Sequence, residues 1–154
     1  MEYGLCPDVA NRVSEIATLH DAGKIAVPET ILNKPGELTP REFEIVKTHT
    51  TAGAELLADM PGELGKMARL CALYHHEHWA GTGYWGKYTD ELPIYVSVIA
   101  VVDVYTALIH VRPYKHAWTQ QEALDYIASQ SGRQFSPVLA GAFLSFMRKR
   151  GGGD

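Results

Sequence analysis

A chain of 154 residues with a formal net charge of −4 is one domain's worth of sequence, long enough to bury a core without staples. With 46% hydrophobic and 21% charged residues it is neither disordered nor fibrous, and its mild acidity argues against a nucleic-acid polymer as partner. The longest apolar run, Ile94 to Val102, is broken by Ser97 and followed by Asp103, well short of the roughly 20 residues a membrane span needs.

Read in order, the segments are helical. Pro7-Asp8 opens a run in which Val9, Val13, Ile16, Ala17 and His20 recur at helical spacing, with Asp21-Ala22-Gly23 as its end. Pro28 starts a short helical turn through Asn33, and Lys34-Pro35-Gly36 reads as a loop. Thr39-Pro40-Arg41-Glu42 is a strong start signal, combining a capping threonine, a proline at the first helical position and the glutamate of a capping box. The helix it opens carries Phe43 and Val46 and, after an expected break or kink near His49, Ala54, Leu56 and Leu57. Pro61-Gly62 separates it from a helix of Leu64, Met67, Ala68, Cys71, Ala72 and His75.

Gly81-Thr82-Gly83-Tyr84-Trp85-Gly86 is too glycine-rich for regular structure. Pro93 to His110 is almost wholly apolar, and its length of about 16 residues favours a buried helix over a buried strand. Thr119 with Glu122 repeats the capping box, Gly132 suits a stop, and Ser136-Pro137 starts the last helix. That helix ends in Met147-Arg148-Lys149-Arg150, where basic residues complement the helix dipole. No segment alternates like a strand with a hairpin partner. The expectation is an all-α bundle of about six to seven helices, one domain over residues 1–150 and a tail over 151–154. Met1-Glu2-Tyr3-Gly4 lacks signal-peptide character, and Cys6 and Cys71 show no metal or redox spacing; both point to reduced thiols in a cytoplasmic protein.

Histidine carries the chemistry. There are seven, most of them near acids or other histidines. Asp103 sits on the apolar helix, where a buried carboxylate must be paired, used as a cap or bound to a metal. His20-Asp21 falls at the end of an amphipathic helix, and a lone histidine there is otherwise a satisfied core residue. His75-His76 ends an apolar helix beside a glycine loop, and because adjacent helical residues point about 100° apart, both reach one metal cluster only at a helix end. With His49, these residues make a donor set suited to Fe, Mn, Zn or Ni, and a carboxylate that bridges two ions suits a two-metal phosphohydrolase.

The pattern resembles the HD-GYP subgroup of the HD-domain metal-dependent phosphohydrolases. The matching stretches are Leu19-His20-Asp21-Ala22-Gly23-Lys24-Ile25, Val27-Pro28, Leu32-Asn33-Lys34-Pro35-Gly36, Lys47-Thr48-His49-Thr50 and Tyr74-His75-His76-Glu77. Gly81-Thr82-Gly83-Tyr84, Val101-Val102-Asp103-Val104 and Arg112-Pro113-Tyr114-Lys115 follow in register. The resemblance implies an all-helical, signalling phosphodiesterase that hydrolyses cyclic di-GMP through attack of a metal-bound hydroxide on phosphorus. It makes Asp21 the bridging carboxylate, with His20 and Asp103 on one metal and His49, His75 and His76 on the other. Fe or Mn is the expected metal, with Zn and Ni compatible.

Lys24 takes the place of the subgroup's active-site lysine, contacting a phosphate or assisting the leaving group. Arg112 and Lys115 take those of its phosphate-contacting pair, and Tyr84 is placed to stack on a guanine.

Two departures stand out. Trp85 follows Gly83-Tyr84 where the signature has proline, and the loop is about one residue shorter before Pro93. In the family this loop is linked to substrate recognition and to binding of diguanylate cyclase (GGDEF) domains. Only 19 residues precede His20, none a histidine, whereas the family carries a further helix with a histidine ligand upstream. The expectation is one strong metal site and one weak or empty one, and self-association over the apolar groove that the absent helix would cover. Two alternatives stay open. One is a degenerate module that binds cyclic di-GMP or a protein without turnover; the other is a phosphohydrolase for another nucleotide.

Overall fold

The computed structural model describes residues 7–110 and 117–151, with side chains from Ala10 to Arg150 within those spans. Seven α-helices and no named strand occur among the described residues; the one isolated bridge joins Ser131 and Phe135. The all-α expectation holds. The helices group into two compact units, one ending at His75 and the other taken up at His76.

The first unit holds α1 (Pro7–Ala17), a 3-10 turn (Ala22–Ala26), α2 (Glu29–Leu32), α3 (Pro40–Leu56) and α4 (Gly62–Tyr74). The capping box forms as read: Thr39 Oγ1 accepts the Glu42 N–H, and the Glu42 carboxylate accepts the Thr39 N–H at 2.7 Å. α3 packs on both the 3-10 turn and α4, and α1 packs on α4. Ile16, Ala68, Cys71 and Ala72 are fully buried. Burial pushes the Cys71 thiol up to about 12, so it is an inert apolar side chain; Cys6 lies outside the described residues.

Two boundaries differ from the sequence reading. α1 stops at Ala17, not at Asp21–Gly23. At the end of α1 the Thr18 and Leu19 N–H groups bond to carbonyls three residues back, Glu15 O and Ile16 O, and His20 Nδ1 lies 2.6 Å from Ala17 O, so the last carbonyls are satisfied by a tightened turn and a side chain. His20 is therefore a turn residue and not a continuation of the helical face. In α3 there is no break at His49. Thr48, Thr50 and Thr51 each donate a hydroxyl to a carbonyl three residues upstream, which satisfies them without opening the helical ladder.

The second unit holds a 3-10 turn (Thr89–Glu91), α5 (Ile94–Ile109), α6 (Gln120–Ser129) and α7 (Pro137–Gly151). α5 packs on α6 and α7, and Val101, Ile127, Phe135 and Ala140 form its core. Thr119 and Glu122 form the second capping box. α5 is a helix, as its length predicted, but it is not buried all round: Val102 is 43% exposed. Val102 is turned about 100° from buried Val101, and a helix packed against neighbours on one side leaves such a position outside. No described helix is long and apolar enough to cross a membrane.

Candidate metal centre

The site is assembled by a close backbone approach. Gly23, in the 3-10 turn, lies so near α3 that a Cβ would sit 1.9 Å from His49 O and 2.3 Å from Gly53 N. Gly53 in turn meets the Ala72 methyl of α4 at what would be 3.3 Å from its own Cβ. Small residues at three positions thus bring the turn carrying His20, Asp21 and Lys24 against His49 on α3 and His75 at the end of α4.

Each histidine of this unit is locked by its backbone. His49 Nδ1 lies 2.6 Å from Val46 O, and His75 Nδ1 lies 2.8 Å from Cys71 O. A carbonyl only accepts, so each Nδ1 carries the proton and donates, and each Nε2 presents a lone pair. His20 follows the same rule through Ala17 O, with Nε2 3.4 Å from Asp21 Oδ2. The Nε2 atoms of His49 and His75 stand 3.4 Å apart. They lie 3.5 and 3.7 Å from Asp21 Oδ1, which is buried and makes no hydrogen bond among the described residues.

Protonation does not relieve this convergence of acceptors. Burial pushes both imidazoles below their ordinary value, ahead of the backbone carbonyls and Asp21 that pull them up; for His75 the result is about 4. Burial also works to raise the Asp21 carboxyl, but the Lys24 ammonium, with His20 and His75, outweighs it and holds the group below the usual carboxylate range. Lys24 Nζ donates to Asp21 Oδ2. The result is one carboxylate oxygen and two imidazole nitrogens with lone pairs aimed at a common point, their atoms within 4.8 Å of one another.

A divalent cation is what this geometry fits. Donors bound at about 2.1 Å stand about 3.4 Å apart in tetrahedral geometry, so the observed spacings need only a small inward movement. The backbone-bonded Nδ1 is the usual outer partner of a metal-binding imidazole.

The profile of the HD domain family matches residues 7–139. The chain belongs to the HD domain family. Over 144 residues this HD domain is 40% identical to the "Cyclic di-GMP phosphodiesterase response regulator RpfG" of Xanthomonas campestris pv. campestris, covering 93% of this chain and 38% of that protein. It is 38% identical over 138 residues to the "3'3'-cGAMP-specific phosphodiesterase 2" of Vibrio cholerae, covering 89% of this chain and 26% of that protein. The HD domain therefore spans well under half the length of these relatives. Its fold matches that of Bd1817, an HDG"Y"P protein from Bdellovibrio bacteriovorus, with a TM-score of 0.72 at 17% identity over 94% of this chain and 45% of that one.

Of the residues singled out from sequence, the first unit of the HD domain brings together His20, Asp21, Lys24, His49 and His75. His76 opens the second unit, its ring against Tyr84 with centroids 4.4 Å apart. Asp103 is half-buried on α5 of that unit. Arg112 and Lys115 lie outside the described residues. Sequence reasoning read Gly23 only as part of a helix end and gave no role to Gly53 or Glu77. Glu77 is 2% exposed, and its place beside two histidines was the available signal: the buried-carboxylate argument applied to Asp103 applies to it equally.

A pH dependence follows for the metal-free HD domain. Unfolded His75 takes its proton near its ordinary value of 6.5, folded His75 only at about 4. Between those values the unfolded chain binds more protons, so stability falls as pH drops through that window and is unaffected by this group above it. Thermal melts of chelator-treated protein from about pH 7.5 down to about pH 4.5 are expected to show a falling Tm. His75→Gln is expected to flatten the fall, and an equally steep one in that variant would count against the assignment.

Proposed function

We propose that the chain is the catalytic part of a metal-dependent cyclic di-GMP phosphodiesterase. The observation that carries the reading is the convergence of Asp21 Oδ1 with the Nε2 atoms of His49 and His75, all acceptors, in a buried site. The relatives' names support a cyclic dinucleotide as substrate. His76 and Asp103 enter as further ligands on the strength of the motif match, as do Tyr84, Arg112 and Lys115 as contacts to the nucleotide. Two imidazoles and a carboxylate suit Fe or Mn.

A divalent cation held here supplies Lewis-acid chemistry, offsetting charge on the phosphoryl oxygens and making water acidic enough to act as a nucleophile at neutral pH. The remaining work belongs to side chains. Asp21 and the two imidazoles, held by their Nδ1–H bonds, provide a fixed and neutral-histidine donor set that needs no proton release before it binds a cation. Lys24, half-exposed and bonded to Asp21, keeps its ammonium beside the site, where contact to a phosphodiester oxygen or the departing ribose oxygen is within its chemistry. The loop carrying Tyr84 is the proposed surface for the guanine and for a diguanylate cyclase domain.

The test is an anaerobic assay with added Mn or Fe, following cyclic di-GMP by chromatography to the linear dinucleotide or GMP. A parallel reaction with 3'3'-cGAMP addresses the second reading, which the Vibrio cholerae relative favours. Binding of either nucleotide without product under both metals would replace the enzyme with a binding module.

A further inference from the structure

The loop after His76 has no regular structure, yet it is gripped on several sides within the second unit. Glu77 accepts the Trp85 N–H at Oε1 (2.7 Å) and the Lys87 N–H at Oε2 (2.6 Å). A carboxylate buried to 2% exposure is tolerated only when donors answer its oxygens, and here both donors come from the loop. On the other side the loop rests backbone on backbone. A Cβ at Gly83 would lie 2.5 Å from Glu77 Cα and 2.6 Å from His76 O. Gly81 and Gly86, at φ +68° and +71°, make the turns that bring the two ends round. Trp79 and Ala80 donate their N–H groups to Gln134 O and Arg133 O, which fastens the start of the segment to the α6–α7 connection. Within the loop Tyr84 is half-buried, its ring on that of His76.

We infer that Glu77 is a positioning residue: by holding the Trp85 and Lys87 amides, its carboxylate fixes Tyr84 on His76 and sets the surface the loop offers to a nucleotide. The nucleotide part rests on the function proposed above; the clamp does not. Position 85 contributes its N–H, which every residue except proline supplies. Tryptophan therefore does not leave position 85 slack, because its N–H is held by a buried carboxylate.

The experiment is residue-resolved amide exchange on the full chain, joined to kinetics of the metal-loaded protein. In Glu77→Gln one amide faces an NH2 instead of an acceptor. Exchange at Trp85 and Lys87 is expected to quicken about tenfold or more while α6 amides keep their rates, since a local opening exposes only its own segment. Metal content is expected to stay constant, with KM for cyclic di-GMP rising about tenfold and kcat changing less than about threefold, the signature of lost binding-surface order. Trp85→Pro, at an exposed position, removes one donor and is expected to quicken Lys87 exchange. Trp85→Ala keeps the N–H and is expected to leave Lys87 as in the parent.

Unchanged Lys87 protection in both Glu77→Gln and Trp85→Pro would overturn the clamp, as would a Trp85→Ala variant as loose as the proline one. Should Glu77→Gln not fold, the two position-85 variants decide the matter alone. A parent that hydrolyses no cyclic dinucleotide would defeat the functional reading, while the exchange data would still decide the clamp.

Discussion

Asp21→Ala is expected to lower hydrolysis of cyclic di-GMP by at least ~10²–10³-fold, the range seen when one preorganised electrostatic group is removed from a reacting centre. The same substitution should leave the metal-free protein about as stable as the parent. Asp21 Oδ1 makes no hydrogen bond among the described residues and faces two other acceptors, so its removal relieves crowding. The bond lost, from Lys24 to a carboxylate 30% exposed, is worth about 0–1 kcal/mol in that setting. What should disappear is the rise in Tm that added Mn gives the parent, because a cation that binds only the folded state stabilises by mass action. Activity assays, metal analysis and melts on the two proteins check all three statements. Turnover within tenfold of the parent would refute a metal mechanism built on this carboxylate.

Gly23→Ala is expected to be severely damaging to the first unit. The new Cβ would lie 1.9 Å from His49 O and 2.3 Å from Gly53 N, and both are helical backbone atoms that no rotamer change can move. Either the fold loses about 3 kcal/mol or more, or the turn lifts off α3 and carries Asp21 away from His49 and His75. Both routes weaken metal binding, and urea titrations with and without Mn separate them. Gly141→Ala is the control: it sits on α7 with nothing within 4 Å of its Cβ, and alanine there is expected to be neutral or to stabilise by up to about 1 kcal/mol. A Gly23→Ala protein as stable and as metal-responsive as the parent would show that the close approach does not build the site.

These two residues mark the limit of what could be read from the chain. Features closed within one helical turn were legible. The capping boxes of Thr39 with Glu42 and Thr119 with Glu122 depend on atoms three residues apart, and both formed as read. The length and apolarity of α5 fixed its helix, although not which side would be covered. The break expected at His49 did not form: α3 runs on through it, and the hydroxyls of Thr48, Thr50 and Thr51 bond to carbonyls of their own helix without interrupting it. α1 ended early because its backbone tightened to bonds three residues back at Thr18 and Leu19, with His20 turned back on Ala17 O.

By itself, then, the sequence determined an all-helical chain, where its principal helices begin, and a donor set of histidines and aspartates suited to a divalent metal. Even the lock on each imidazole is local, since the carbonyl that holds Nδ1 lies three or four residues upstream. The tertiary structure alone decided that Asp21, His49 and His75 point at one another, because residues dozens of positions apart meet only where Gly23, Gly53 and Ala72 let three backbones come close. It also decided that Glu77 is a buried acceptor and not a surface charge. The physical reason is the same in both cases. Residue type and spacing specify bonds of short reach, whereas burial and convergence depend on what packs from elsewhere, which no local pattern records.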